Sequence, residues 1–344
     1  DTAGQMCYIC YGEGDEEGLV RGCSCRGESG FAHVSCLARQ AQVAVERGGG
    51  RRFDRWYSCG LCEQDYHGAV RCALGWACWK TYLGRPEANL LRREAMKQLG
   101  NGLYFACRRK EAFQVEEANL RMLRRIGAPE GDILAARGRL ARTYRRRYGI
   151  DRCEEALRVV RDAYFEHCRL LGEDDRESLV LAENYASSLG GQGHFDEAKA
   201  LLRKTIPVAR RVFGEDHQLA IRLRWLYAGL YDQGNGTLDD VLEAATTLVE
   251  LERTARRVFG GAHPRTEDIV WQLREARADL RARLREYRQT ADLAILSVRG
   301  LKALVCERNL NIRYPIERSD VIAALAAPEE AGRWVFWEGV TKVR

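Results

Sequence analysis

The stretch NYASSLGGQGHFDEAKALL, residues 184–202, decides the fold of most of the chain. Its apolar residues recur at helical spacing on both sides of the glycine-rich break GGQGHF, which reads as a tight turn. Ala186 and Ala198 flank that turn, so two antiparallel helices can approach closely there. Reading outward, the unit lies between LLGEDD at Gly172 and VFGEDH at Gly214. The same marker, an apolar pair followed by Gly, appears as YLGRPE at Gly84, RIGAPE at Gly127 and VFGGAH at Gly260. The steps between markers are 43, 45, 42 and 46 residues. In the longer units the small residues stand further apart, Ala141 from Ala156 and Ala228 from Ala244. The extra length therefore sits in the inter-helix turn, where insertions are tolerated.

These units resemble the tetratricopeptide repeat in its 42-residue form, as in kinesin light chain. The resemblance implies an α-α superhelical array over residues 86–288: about four repeats to residue 260, then a capping helix near 264–288. Terminal units of such arrays need a polar outer face. The resemblance also implies a concave groove for a substrate protein or a peptide. The basic run RGRLARTYRRRYG holds Arg137, Arg139, Arg142, Arg145, Arg146 and Arg147. At helical spacing it is either a solvated face or a cationic wall for an acidic peptide. Arg139, Arg142 and Arg146 are the candidate groove residues.

The N-terminal region differs in kind. Seven of the 13 cysteines in the 344-residue chain precede residue 63. No apolar run approaches the ~20 residues needed to span a bilayer, and no signal-peptide pattern opens the chain. The first residue is Asp1, so the true N-terminus can lie upstream. Crowded cysteines without an export signal favour metal binding in a reducing compartment. The expected location is intracellular, cytoplasmic or nuclear, with no membrane contact. A net charge of +6 is mild and does not by itself imply nucleic acid.

The potential ligands run Cys7, Cys10, Cys23, Cys25, His33, Cys36, Cys59, Cys62. Eight ligands make two closed tetrahedral sites. The expected arrangement is an interleaved cross-brace, with Cys7, Cys10, His33 and Cys36 on one Zn2+ and Cys23, Cys25, Cys59 and Cys62 on the other. A finger of residues 1–68, rich in Gly and poor in large apolar side chains, is marginal without metal. Structural zinc contributes roughly 10–16 kcal/mol of apparent binding energy. The ligand order, the C-x-C second pair, the seven residues before His33 and the block CRGESGFAHVSCL resemble the RING-CH finger. A plant homeodomain finger shares the ligand order, but it usually has C-x-x-C as second pair and a Trp two residues before the seventh ligand; here Trp56 is three before.

The RING-CH resemblance implies an E3 ubiquitin ligase or ligase adaptor that forms no covalent intermediate. It would hold a charged ubiquitin-conjugating enzyme in a reactive pose, which is catalysis by positioning. The docking positions it implies are Ile9, Leu37, Trp56 and Leu61, each of which could instead pack the mini-core. Gln40 stands where many RING-CH fingers carry Trp, and Glu63 where many ligases carry a basic residue. These keep open a second reading, a non-enzymatic zinc-finger and repeat scaffold. His67 reads as a loop or packing residue.

Residues 69–85 form an aromatic helical linker whose Trp76, Trp79 and Tyr82 are placed to weld the finger to the first repeat. Residues 293–326 read helix, extended loop, helix. Ser297 caps a helix bearing Leu301, Leu304 and Val305; Pro315 forbids helix in the loop; Ser319 caps a helix bearing Val321, Ile322 and Leu325. This resembles a SAP motif, which implies nucleic-acid contacts at Arg299, Lys302, Arg313 and Arg318; protein contact is the alternative. The tail 327–344 carries no assignment. The expected fold class is mostly α: a small cross-braced two-zinc finger, a superhelical repeat array and a short helix-loop-helix module.

Overall fold

A computed structural model describes residues 2, 4–13, 17–48, 53–144, 153–231 and 237–289. The SAP-like segment, the tail, and Arg145, Arg146 and Arg147 lie outside the described residues. The described part is helical, with two isolated β-bridges, Val20 to Ala32 and Ser58 to Asp65, in the finger.

From residue 90 onward the helices come in antiparallel pairs: α3 (Leu90–Phe105) with α4 (Arg109–Arg125), α5 (Glu130–Tyr144) with α6 (Cys153–Leu171), α7 (Arg176–Gly190) with α8 (Phe195–Phe213), and α9 (Gln218–Ala228) with α10 (Leu238–Val258). A single helix, α11 (Pro264–Gln289), packs against α10. The first helices of successive pairs also touch, α5 with α7 and α7 with α9, and so form the inner layer of the array. The small residues read from the sequence are where the helices meet: Ala141, Ala156, Ala186, Ala198, Ala228 and Ala244 are all buried. Around them Leu181, Leu202 and Leu223 build one core, and Ile221, Leu248 and Leu251 a second that α11 closes with Ile269 and Leu273.

The recurring marker has a backbone cause. Gly127, Gly172, Gly214 and Gly260 all have positive φ, between 61° and 93°. This conformation ends a helix and suits Gly, which has no Cβ to clash. Three residues after the last three of these glycines comes a cap. The Asp175 carboxylate accepts from the Glu177 and Ser178 amides, and the His217 and His263 rings accept from the Leu219 and Arg265 amides. The motif therefore stops one helix and starts the next. Gly84, the first marker, has no positive φ and precedes the array.

The finger contains α1 (Val34–Arg47), a 3₁₀ turn (Phe53–Trp56) and the start of α2 (Gly68–Tyr82). Leu19, Phe31, Leu37, Tyr66, Val70 and Leu74 form its apolar centre. Helix α2 joins it to the array. Gly75 and Gly102 bring α2 and α3 together so closely that a Cβ at either would sit about 3 Å from the facing carbonyl oxygen. On the other side, Tyr82 packs edge-on against Trp56, their rings 5.9 Å apart.

Candidate metal centre and partner surfaces

Two clusters bring together the eight sulfur and imidazole groups singled out in the sequence. Cys7, Cys10, His33 and Cys36 form one, Cys23, Cys25, Cys59 and Cys62 the other, with all ligand atoms in each within 4.8 Å of one another. His33 is the N-cap of α1, and Cys36 lies in that helix's first turn. The helix thus places two ligands on one zinc while the Cys7–Cys10 turn supplies the other two. The second cluster joins the GCSCRG loop to the turn after Trp56.

The distances fit a tetrahedral zinc. Zn–S bonds of about 2.3 Å at tetrahedral angles require S···S separations of about 3.8 Å; Cys25 and Cys59 stand 3.8 Å apart. His33 Nδ1 lies 3.4 Å from Cys10 Sγ and 3.7 Å from Cys36 Sγ, as the shorter Zn–N bond demands. His33 Nε2 is 3.0 Å from the Glu13 carbonyl oxygen. Donation there fixes the ring and leaves Nδ1 to coordinate. In the second cluster the mutual hydrogen bond drives Cys59 far below the ordinary thiol value and Cys23 far above it. Crowded thiols that share protons in this way are a donor set whose protons a dication displaces on binding. Two zinc ions per chain follow.

The loop carrying the second pair is also tied to the rest of the molecule. The buried Arg71 of α2 donates to the Tyr57 carbonyl oxygen at 3.0 Å and pairs with Asp65 at 3.3 Å. Arg26, next to Cys25, donates to the carbonyl oxygens of Arg256 and Arg257 at 2.8 and 2.9 Å, at the C-terminal end of α10. A cation there suits the negative helix terminus. His67 sits against His263, ring centres 4.5 Å apart, and His263 stacks on Phe259. The finger therefore touches the last pair of the array as well as the first.

The docking positions divide. Leu61 is 52 % exposed and Ile9 half-buried, whereas Leu37 and Trp56 are 4 % and 1 % exposed. Leu37 fills the finger's centre, and Trp56 packs with Phe53, Tyr82 and Ala41. An incoming surface can reach the first two side chains but not the last two. Gln40 accepts a hydrogen bond from the Tyr8 hydroxyl at 3.1 Å, a structural use of that position.

The groove arginines divide too. Arg139 is buried and already neutralised, 3.3 Å from Glu116 and 3.2 Å from Glu177, so it is not a free contact for an acidic peptide. Arg142 donates to Asn101 at 3.0 Å and lies 3.9 Å over the Tyr104 ring, with no carboxylate within ion-pair distance among the described residues. Sequence reading missed its companions on the inner helices. Arg222 pairs with Glu183 through two 2.8 Å hydrogen bonds, and Arg265 lies over Trp225. Burial first, and for Arg265 the nearby Arg222, press Arg142 and Arg265 below the ordinary arginine value.

Residues 7–62 match the RING-variant domain. The match spans both ligand tetrads. No curated protein matches the chain. Among solved structures, the chain is similar to a Podosopora anserina protein described as a putative kinesin light chain with nearly identical TPR-like repeats, and to a singly substituted form of that protein. The first is matched at 14% identity with a TM-score of 0.36, the second at 14% with 0.38; each match covers 65% of this chain and 95% of the other. Among the described residues no helix is long and apolar enough to cross a membrane.

Proposed function

We propose that the chain is an E3 ubiquitin ligase or ligase adaptor, in which the finger recruits a ubiquitin-conjugating enzyme and the array recruits the protein to be modified. The observation that carries this reading is the pair of complete zinc tetrads within a RING-variant match, with Ile9 and Leu61 reachable beside them. The finger offers no nucleophile of its own, since its cysteines are ligands. Its contribution is to hold a thioester in an attack geometry. On the inner layer of the array Arg142, Arg222 and Arg265 gather around Glu183, with Glu116, Asp65 and Asp268 each acting on one of them. Arg142, which has no direct ion pair among the described residues, supports docking of an acidic segment of the substrate.

The test is ubiquitin transfer by the zinc-loaded chain with a panel of conjugating enzymes. Ile9→Ala and Leu61→Ala should each abolish transfer while two zinc ions remain bound. The burial of Leu37 and Trp56, together with Glu63 after the last ligand, favours a second reading as a scaffold. No transfer with any conjugating enzyme would establish it.

A further inference from the structure

A cavity of about 440 Å³ opens at one rim of the array, where the N-terminal ends of α5 and α7 meet α3 and α4. Its cations are committed. Arg93 pairs with Asp132 at 3.3 Å, Lys97 with Glu177 at 3.7 Å, and Arg139 with Glu116 and Glu177. The lining carries three cationic side chains and five carboxylates, so negative charge is in excess.

Two acceptors are left over. Glu94 is half-buried on α3 and makes no direct ion pair among the described residues; the charge of Arg139 reaches it, but that guanidinium is held by Glu116 and Glu177. Asn119 of α4 is 2 % exposed, lines the cavity, and its Oδ1 has no hydrogen-bond partner. A buried acceptor without a hydrogen bond carries an unrepaid desolvation cost, which a ligand's N–H would recover. Several of the other carboxylates lie in the first turns of α5 and α7, where the helix dipole accounts for them. That explanation does not extend to Glu94, one turn into α3, or to Asn119, in the second half of α4. One donor is also unmade, the Nε of Arg93, but its guanidinium charge is already answered by Asp132.

The remaining wall is hydrocarbon. Leu123 and Ala135 are buried, and Leu170 and Leu171 at the lip are 38 % and 57 % exposed. A ligand that suits both halves has an aliphatic stem and a cationic, donor-rich end. We infer that this cavity takes the side chain of a lysine or arginine from a partner polypeptide, its terminal N–H groups directed to Glu94 and Asn119. The site would read a basic residue on the rim while the inner layer favours acidic ones, so a partner is selected by the order of its charges. The inference concerns binding alone and does not depend on ubiquitin transfer.

The experiment titrates the full zinc-loaded chain against acetylated, amidated Gly-Ser peptides that differ at one central residue: lysine, arginine, norleucine or glutamate. Fluorescence anisotropy reads binding into the millimolar range. The lysine and arginine peptides should bind at least tenfold more tightly than the norleucine and glutamate peptides. Glu94→Gln, which leaves the direct ion pairs of the cavity in place, should keep the helical circular dichroism of the parent chain and weaken the lysine peptide about tenfold. Asn119→Asp, which adds a second acceptor charge, should tighten it. Equal binding of lysine and norleucine peptides, no binding at all, or an unchanged lysine affinity in Glu94→Gln would overturn the inference. Competition by free cadaverine at the lysine peptide's own concentration would overturn its polypeptide part.

Discussion

The finger and the array solve the same problem in opposite ways. The finger has a small apolar centre, and its loops are held by eight ligands brought from positions up to 39 residues apart, as with Cys23 and Cys62. The array has no such ligand set among its described residues. Its order comes from short-range pairing of helices whose contact points are alanines and whose cores are leucines and isoleucines. A cross-braced site fails as a unit when one ligand goes, because each zinc staples distant segments. A repeat array loses one layer at a time, because each pair contacts only its neighbours.

The largest effect separating the two should come from the metal. Cys59→Ser should lower zinc content from two per chain to one or none by elemental analysis and unfold the finger. A variant that keeps two zinc ions and full finger structure would break the contrast. Next in size is the array core. Leu202→Ala should cost about 2–5 kcal/mol in denaturant unfolding of the array, with zinc content unchanged, because Leu202 is fully buried between helices far from either tetrad. A smaller effect belongs to the marker glycine. Gly214 has φ 87° and ψ 163°, a region almost closed to L-residues, so Gly214→Ala should cost about 1–3 kcal/mol; a neutral result would mean that the helix end can relax.

The smallest expected effect lies where the two regions meet. Burial first, then His67 and Arg265, hold His263 down at about 4, against an ordinary value of 6.5. A histidine kept neutral in the fold binds fewer protons than in the unfolded chain between those values. Stability from this group is therefore present above pH 6.5 and lost as pH falls toward 4. His263→Phe removes that term. Relative to the parent chain, its stability should improve steadily from pH 6.5 to 4 in parallel denaturant titrations. Zinc release at low pH affects both chains and drops out of the difference.

The two architectures are legible in the sequence for different reasons. Zinc ligands are few and chemically distinctive, so the eight ligands are legible; their order allows neighbouring or interleaved pairs, and the clusters Cys7/Cys10/His33/Cys36 and Cys23/Cys25/Cys59/Cys62 bear out the interleaved pairing. The repeat is legible because its period is imposed by the same local events, a positive-φ glycine and a cap three residues later. Roles that depend on distant partners are not legible. Arg139 reads as a free groove cation until Glu116 and Glu177, 23 and 38 residues away, are seen to flank it. Trp56 could dock or pack; Tyr82, on a later helix, covers it. The contact of Arg26 with α10, across 230 residues, leaves no local trace at all.

That zinc orders the finger while helix packing orders the array, in spite of the contacts between them, is the central claim, and hydrogen exchange on the zinc-loaded and chelator-stripped chain tests it most directly. Stripping zinc should expose the amides of residues 7–62 while α7 to α10 keep their protection. Loss of protection throughout the array, or none in the finger, would contradict it.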